Sequence, residues 1–311
     1  MKTSIFILIT LLALALAASP ARAGYIDLGE AGEYNAFILG EFSSGASDTQ
    51  GRLAVGGNAT MSPYSVGYAL PDGYSGYSLV VGGNLNYNGG DVYHGDVAVG
   101  GSVLSSPDVD SGTLYAGTSV INFKEQAAYL RALAVTLGGY AATGTDVLGG
   151  NVLTLTGDGS SQLQVFNLDG ADLLGSTELS LGGIADGSTI LINVSGKESG
   201  LVGMGMVDLT AYRNDILFNF YETESLYLDG VGVQGSILAP NATVTGYYDK
   251  ISGGGGSIDG TLIADFYYAH IQQHDVPFNS TTPVPEPGTF AIMGLGLLGL
   301  VGFMRRRGQR A

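Results

Sequence analysis

The side chains of this sequence that could do chemistry are 28 acids, three histidines and 18 tyrosines, with no cysteine at all. Without a thiol there is no cysteine nucleophile and no thiolate metal site. His270 and His274 stand four apart with Asp275 beside them, a spacing that on a helix would put two imidazoles on one face. No Glu follows the first of them, so the metalloprotease pattern fails, and polar residues closing a strand are the plainer reading. No Gly-x-Ser-x-Gly elbow joins a strand to a helix, and a glycosidase-like pair cannot be singled out among 28 acids. The expectation is a protein that is not an enzyme.

No cofactor is expected either, with calcium the one ion for which the acids offer weak ligands. Asp108 and Asp110 lie two apart in a loop, and Asp169 and Asp172 flank a turn. Ca²⁺ needs about six to eight oxygens, so neither pair suffices alone. Tyrosine is more suggestive. Tyr64, Tyr68, Tyr74, Tyr77, Tyr87 and Tyr93 fall close together among Gly, Ser and Asn. Tyr gives wide amphipathic contact at low entropic cost, and its small polar neighbours give adaptable hydrogen bonds. Tyr74, Tyr77, Tyr87 and Tyr93 are therefore expected to touch a ligand, polysaccharide before others. The competing expectation is that the rings pack over the turns and ladders of the fold.

The elements that must position these groups are short. The 311 residues hold 51 Gly, and only 13% are charged, about half the usual share of ~25%. Leu53-Ala54-Val55-Gly56-Gly57-Asn58, Leu79-Val80-Val81-Gly82-Gly83-Asn84 and Val97-Ala98-Val99-Gly100-Gly101-Ser102 repeat one phrase, with starts 26 and 18 residues apart. Gly235–Pro240 is echoed by Gly260–Asp265, 25 residues on. Repeats of this length read as strands turning at Gly corners and stacked coil on coil. The expected fold is mainly β, an irregular right-handed parallel β-helix, with a β-sandwich as the alternative. One helix interrupts it at about 122–137, where Phe123, Ala127, Leu130, Leu133, Ala134 and Leu137 keep helical spacing after an Asn122 cap with Glu125 three residues on. It should lie along one side of the coils, because a lone amphipathic helix of this length is marginal in water.

Both ends read as addresses. Residues 1–23 carry Lys2, an apolar run and Ala21-Arg22-Ala23, the layout of a signal peptide cut before Gly24 by signal peptidase. The body spans 24–279, a Pro-rich linker 280–288, and an apolar segment with an Arg cluster 289–311. Net charge is −16, and six of the twelve Lys and Arg sit in these terminal segments, which leaves the body too acidic for nucleic acid.

Pro285-Glu286-Pro287, then Phe290–Phe303 without a charge, then Arg305-Arg306-Arg307 resemble the PEP-CTERM sorting signal of bacteria that process surface proteins with an exosortase. That resemblance implies export, a transient inner-membrane anchor, and residence at the cell surface or in the extracellular matrix of a bacterium with an outer membrane. Tyr34–Phe42 with Gly51–Asn58, Val165–Gly170, and Gly235–Pro240 with its echo resemble the choice-of-anchor A domain. In outline, coils with one flanking helix are also similar to ice-binding adhesin domains. The resemblance implies an adhesive or polysaccharide-binding role at the surface. Direct ice binding, the alternative, would demand a flat regular array of outward Thr, for which only Thr154-Leu155-Thr156 and Thr243-Val244-Thr245 have the spacing.

Overall fold

The computed structural model describes residues 23–24, 26–247, 255–279 and 284–285. The chain divides into two compact units, Asp27–Thr281 and Met1–Ile26 with Thr282–Ala311. In the smaller one Ala23–Gly24 pairs antiparallel with Val284–Pro285. Ala21, Glu286, Pro287, the apolar segment and Arg305–Arg307 lie outside the described residues.

The larger unit is a parallel β-solenoid with three faces. In the opening phrases the middle residue points outward and its neighbours inward, as the period of two in a strand requires. Leu53, Leu79 and Val97 stack in register, as do Val55, Val81 and Val99, all in one core cluster. The expected repeats are thus successive coils, and so are the echoed ones, since Ile237 pairs with Leu262.

The order of coils in space departs from the order in sequence. From Ala36–Ile38 the coils run outward through Leu53–Val55, Tyr77–Val81 and Asp96–Val99 to Leu114–Ala116. The second half starts at the opposite end, with Leu163–Asp169, and returns through Thr189–Ser195, Ile216–Asn219 and Ser236–Thr245 to Leu262–Tyr268. There the last coil pairs with the first, Ala36 against Leu262. The chain therefore enters and leaves this body at a seam inside the stack.

Two segments make that route feasible. Residues 117–122 cross back over the first half; six residues reach roughly 20 Å when extended, and four coil spacings are about 19 Å. They pass over the glycine corners: a Cβ on Gly100 would meet Ser119 Oγ at 2.9 Å, and one on Gly56 would meet Phe123 at 3.0 Å. The helix α1, Phe123–Gly138, then carries the chain over the second half. Its 16 residues span about 24 Å, the width of six parallel strands. Asn122 accepts from Glu125 N and donates to the Glu125 carboxylate, so the cap forms as the sequence predicts.

Sharp corners commonly use glycine for its positive φ, yet Gly82 and Gly100 do not adopt it. They are glycine because successive corners stack so tightly that a Cβ on Gly82 would sit 2.4 Å from Gly56 O, and one on Gly100 2.5 Å from Gly82 O. At these corners stacking distance, rather than handedness of the turn, excludes a side chain.

A second, smaller sheet joins Thr145–Gly149, Val152–Thr156 and Glu178–Gly182, and its Leu153, Leu155, Leu179 and Leu181 enter the common core.

Candidate functional site

Parity sorts the tyrosines. Tyr64 and Tyr87 alternate inward with Val66 and Leu85 and are fully buried. Tyr87 Oη donates to Tyr64 O at 2.7 Å, and burial pushes its phenol far above the ordinary value. Tyr87 therefore cannot touch a surface ligand, which corrects that expectation. Tyr267 is buried as well, stacked on Phe42 at 5.0 Å. Tyr74 and Tyr77 are half-buried; Tyr74 lies against Gly76 and Gly95, and Tyr77 meets Tyr115 edge-on at 6.3 Å. Tyr74 packs over turns and Tyr77 over the strand ladder, the arrangement of the competing expectation.

Tyr93 is different. It stands edge-on to Tyr68 at 6.2 Å, and both line a groove of ≈ 400 Å³ on the third face. That face is the parallel sheet built from Ser47–Thr49, Tyr64–Val66, Asp91–Val92 and Asp108–Val109 on one side of the seam and Gln272–His274, Gly256–Asp259 and Val231–Gln234 on the other. Thr49 pairs with Val66 and with Gln273, all turned inward. Asp48, Ser65 and Gln272 consequently share one outward row. Gln272 Nε2 donates to Asp48 Oδ2 at 3.1 Å across the seam, a contact between residues 224 apart in sequence.

The floor of the groove carries unspent polarity. Asp48 Oδ1 is buried without a hydrogen-bond partner, as is Ser47 Oγ at the inward parity of the same strand. Each such group costs about 1–3 kcal/mol until a partner arrives. Burial raises the Asp48 carboxyl above its ordinary value, opposed by the Gln272 bond and by His274. Ala46, at the groove's edge, holds φ 50°, a left-handed conformation that costs a non-glycine residue roughly 1–2 kcal/mol. Tyr68 was one of the clustered tyrosines in the sequence, whereas Asp48 and Gln272 had no local signal, because only the meeting of the chain's two ends brings them together.

The other candidates resolve structurally. Asp169 caps the short helix α2, Gly170–Gly175, accepting from Ala171 N at 2.8 Å, and Asp172 lies in its first turn. Negative side chains belong there because the unpaired N–H groups of a helix start are positive. Asp108 and Asp110 are exposed, with Asp108 beside Asp91 in the ladder. Among the described residues no group of three or more His, Asp or Glu gathers as a metal site. His274 lies at the end of the last coil rather than on a helix with His270, and its Nδ1 is 2.6 Å from Asp259 Oδ1. Asp259 also accepts from Arg213 and Gln234, so this buried acid is fully partnered and ties three coils together.

The "Putative Ice-binding-like adhesive domain" family model matches residues 27–275, and the PEP-CTERM protein-sorting motif matches residues 283–307. Among solved structures the chain is similar to an ice-binding protein from the Antarctic ascomycete Antarctomyces psychrotrophicus, at 18% identity and TM-score 0.34, covering 83% of this chain and 100% of that one. It is also similar to an ice-binding protein from an Antarctic biological consortium, at 13% identity and TM-score 0.37, covering 80% and 89%. No curated protein matches it.

Proposed function

The chain belongs to the ice-binding-like adhesive domain family, and on that premise we propose that it is an exported adhesive protein, displayed by the exosortase route, whose solenoid body holds extracellular polysaccharide. The observation that carries this reading is the pairing, in one chain, of an adhesive body over 27–275 with a sorting motif over 283–307. Signal peptidase would cut before Gly24, and exosortase would process the signal around Pro285-Glu286-Pro287 after a transient stay in the inner membrane. Within the family the motifs quoted above favour the choice-of-anchor A type, and a matrix or biofilm setting follows from the polysaccharide ligand. The proposal assigns the body no catalytic step and no required cofactor.

Direct ice binding is the second reading, drawn from the same family description. Thr243 and Thr245 do face outward, but their register neighbours are Ser225 with Phe266 and Tyr227 with Tyr268. Thr154 is flanked by Val147 and Ser180. Rows this mixed suit contact with a hydroxylated polymer better than a lattice match.

The test is co-sedimentation of the unit 27–281, which has its own continuous core, with the producing organism's exopolysaccharide, with and without calcium. Saturable pelleting is expected. Absence of pelleting in both conditions, with retention on ice instead, would replace this reading by the second.

A further inference from the structure

The geometry points to the groove on the third face as a binding site for a non-anionic pyranose of a polysaccharide, assembled across the seam between the first and last coils. This rests on the adhesive reading and gives it a location and a sugar class.

The argument starts from the lining. Ser47, Asp48, Ser65, Tyr68, Tyr93 and Gln272 combine hydroxyl, carboxylate and amide groups with two perpendicular aromatic rings. A pyranose has the matching division, a C–H face for an aromatic ring and a rim of hydroxyls that both donate and accept. The volume of ≈ 400 Å³ lies in the range of about 300–1,000 Å³ typical of small-ligand sites. In the outward row Asp48 Oδ1 lacks a partner, and an incoming hydroxyl is the group that would satisfy this acceptor. Gln272 holds the other carboxylate oxygen, so the side chain is oriented before ligand arrives.

Charge selects the class of sugar. Among the described residues no Lys or Arg lines the groove, Asp48 sits in its floor, and the chain carries −16 overall. A uronate, sulfate or phosphate group would meet like charge with no cation in this lining to receive it. An uncharged ring brings only hydroxyls and C–H faces.

The seam gives the site a structural condition. Asp48 comes from the first coil, Ser65 and Tyr93 from the next two, and Gln272 from the last. The site exists only once the chain's two ends have closed on each other.

The experiment is calorimetric titration of the unit 27–281 with cellotetraose, mannotetraose and laminaritetraose, with tetragalacturonate and the glucosamine tetramer as charged probes. Tyrosine emission provides a second readout, since the chain has no Trp. At least one of the neutral or glucosamine tetramers is expected to bind saturably, about tenfold or more weaker in Asp48→Asn and in Tyr68→Ala, and unchanged in Tyr115→Ala at the far end of the stack. Tyr68 is 47% exposed, so its replacement leaves the core intact if Asp48→Asn fails to fold. Saturation by tetragalacturonate alone, binding by none, or binding indifferent to both groove variants would overturn the inference. Exopolysaccharide pelleting that persists in both groove variants would leave the adhesive reading standing while removing this site. Tetramer binding without pelleting would do the reverse.

Discussion

Tyr87 fills the core with its ring and closes a turn with its hydroxyl, which lies 2.7 Å from Tyr64 O and 3.3 Å from Asp91 O. Tyr87→Phe keeps the packing and strands those bonds, a loss of about 1–2 kcal/mol. Tyr87→Ala opens a cavity as well and should cost about 3–5 kcal/mol. Urea unfolding of the two variants checks this, and an Ala loss no larger than the Phe loss would contradict the buried placement. The inward assignment is legible in Leu85-Asn86-Tyr87 once the period of two is applied, because Tyr87 shares the parity of Leu85. Residue density alone conceals it, since buried and groove-lining tyrosines occur in one stretch. Asp48 and Gln272 are a different case: nothing near either residue marks it, and their partnership is a property of the closed chain.

The helix α1 is held to the strands by a ladder of amides. Asn219 donates to Ala134 O at 2.9 Å and to Asn193 Oδ1 at 2.8 Å; Asn193 donates to Leu137 O and to Asn167 Oδ1, each at 2.9 Å. The helix thus gains a donor for Leu137 O, one of the last four carbonyls, where intrahelical partners run out, and a further donor on Ala134 O just before them. Asn193→Ala should lower stability by roughly 1–3 kcal/mol and speed amide exchange in the last turn of α1; full protection there would contradict the ladder's role. Helix position was legible because Asn122 and Glu125 cap it and Gly138-Gly139 end it. The ladder was not, although Asn167, Asn193 and Asn219 recur at the coil spacing of 26 residues seen between the first two Gly-Gly phrases. The strand Thr145–Gly149 had no signal either: it is exposed along its whole length, so burial imposes no alternation on it.

At the scale of the molecule the seam governs most properties. Asn35 Nδ2 donates to Gly260 O across 225 residues of sequence, inside the sheet rather than at an edge. Such distant pairing makes the last coil a condition for closing the core, and folding dominated by long-range contacts is slow. Coil phrases told the sequence reader that strands stack, because each phrase has its own corner and core positions. They carried no information on which coil lies beside which, since every coil presents a similar edge. The closed seam also brings the exit segment back to the body, where Asn279 N donates to Asn214 O. The body's third face and its groove are built at that seam, and the sorting motif over 283–307 follows the body in sequence.

Attachment of whole cells tests the central claim most directly. Cells of the producing bacterium carrying the full chain, and cells carrying a chain deleted of residues 27–275 with both terminal signals kept, would be compared for retention under flow on a coat of their own exopolysaccharide. The account predicts that retention falls with the deletion and returns when the body is restored. Equal retention of the two strains, with both proteins displayed, would contradict it.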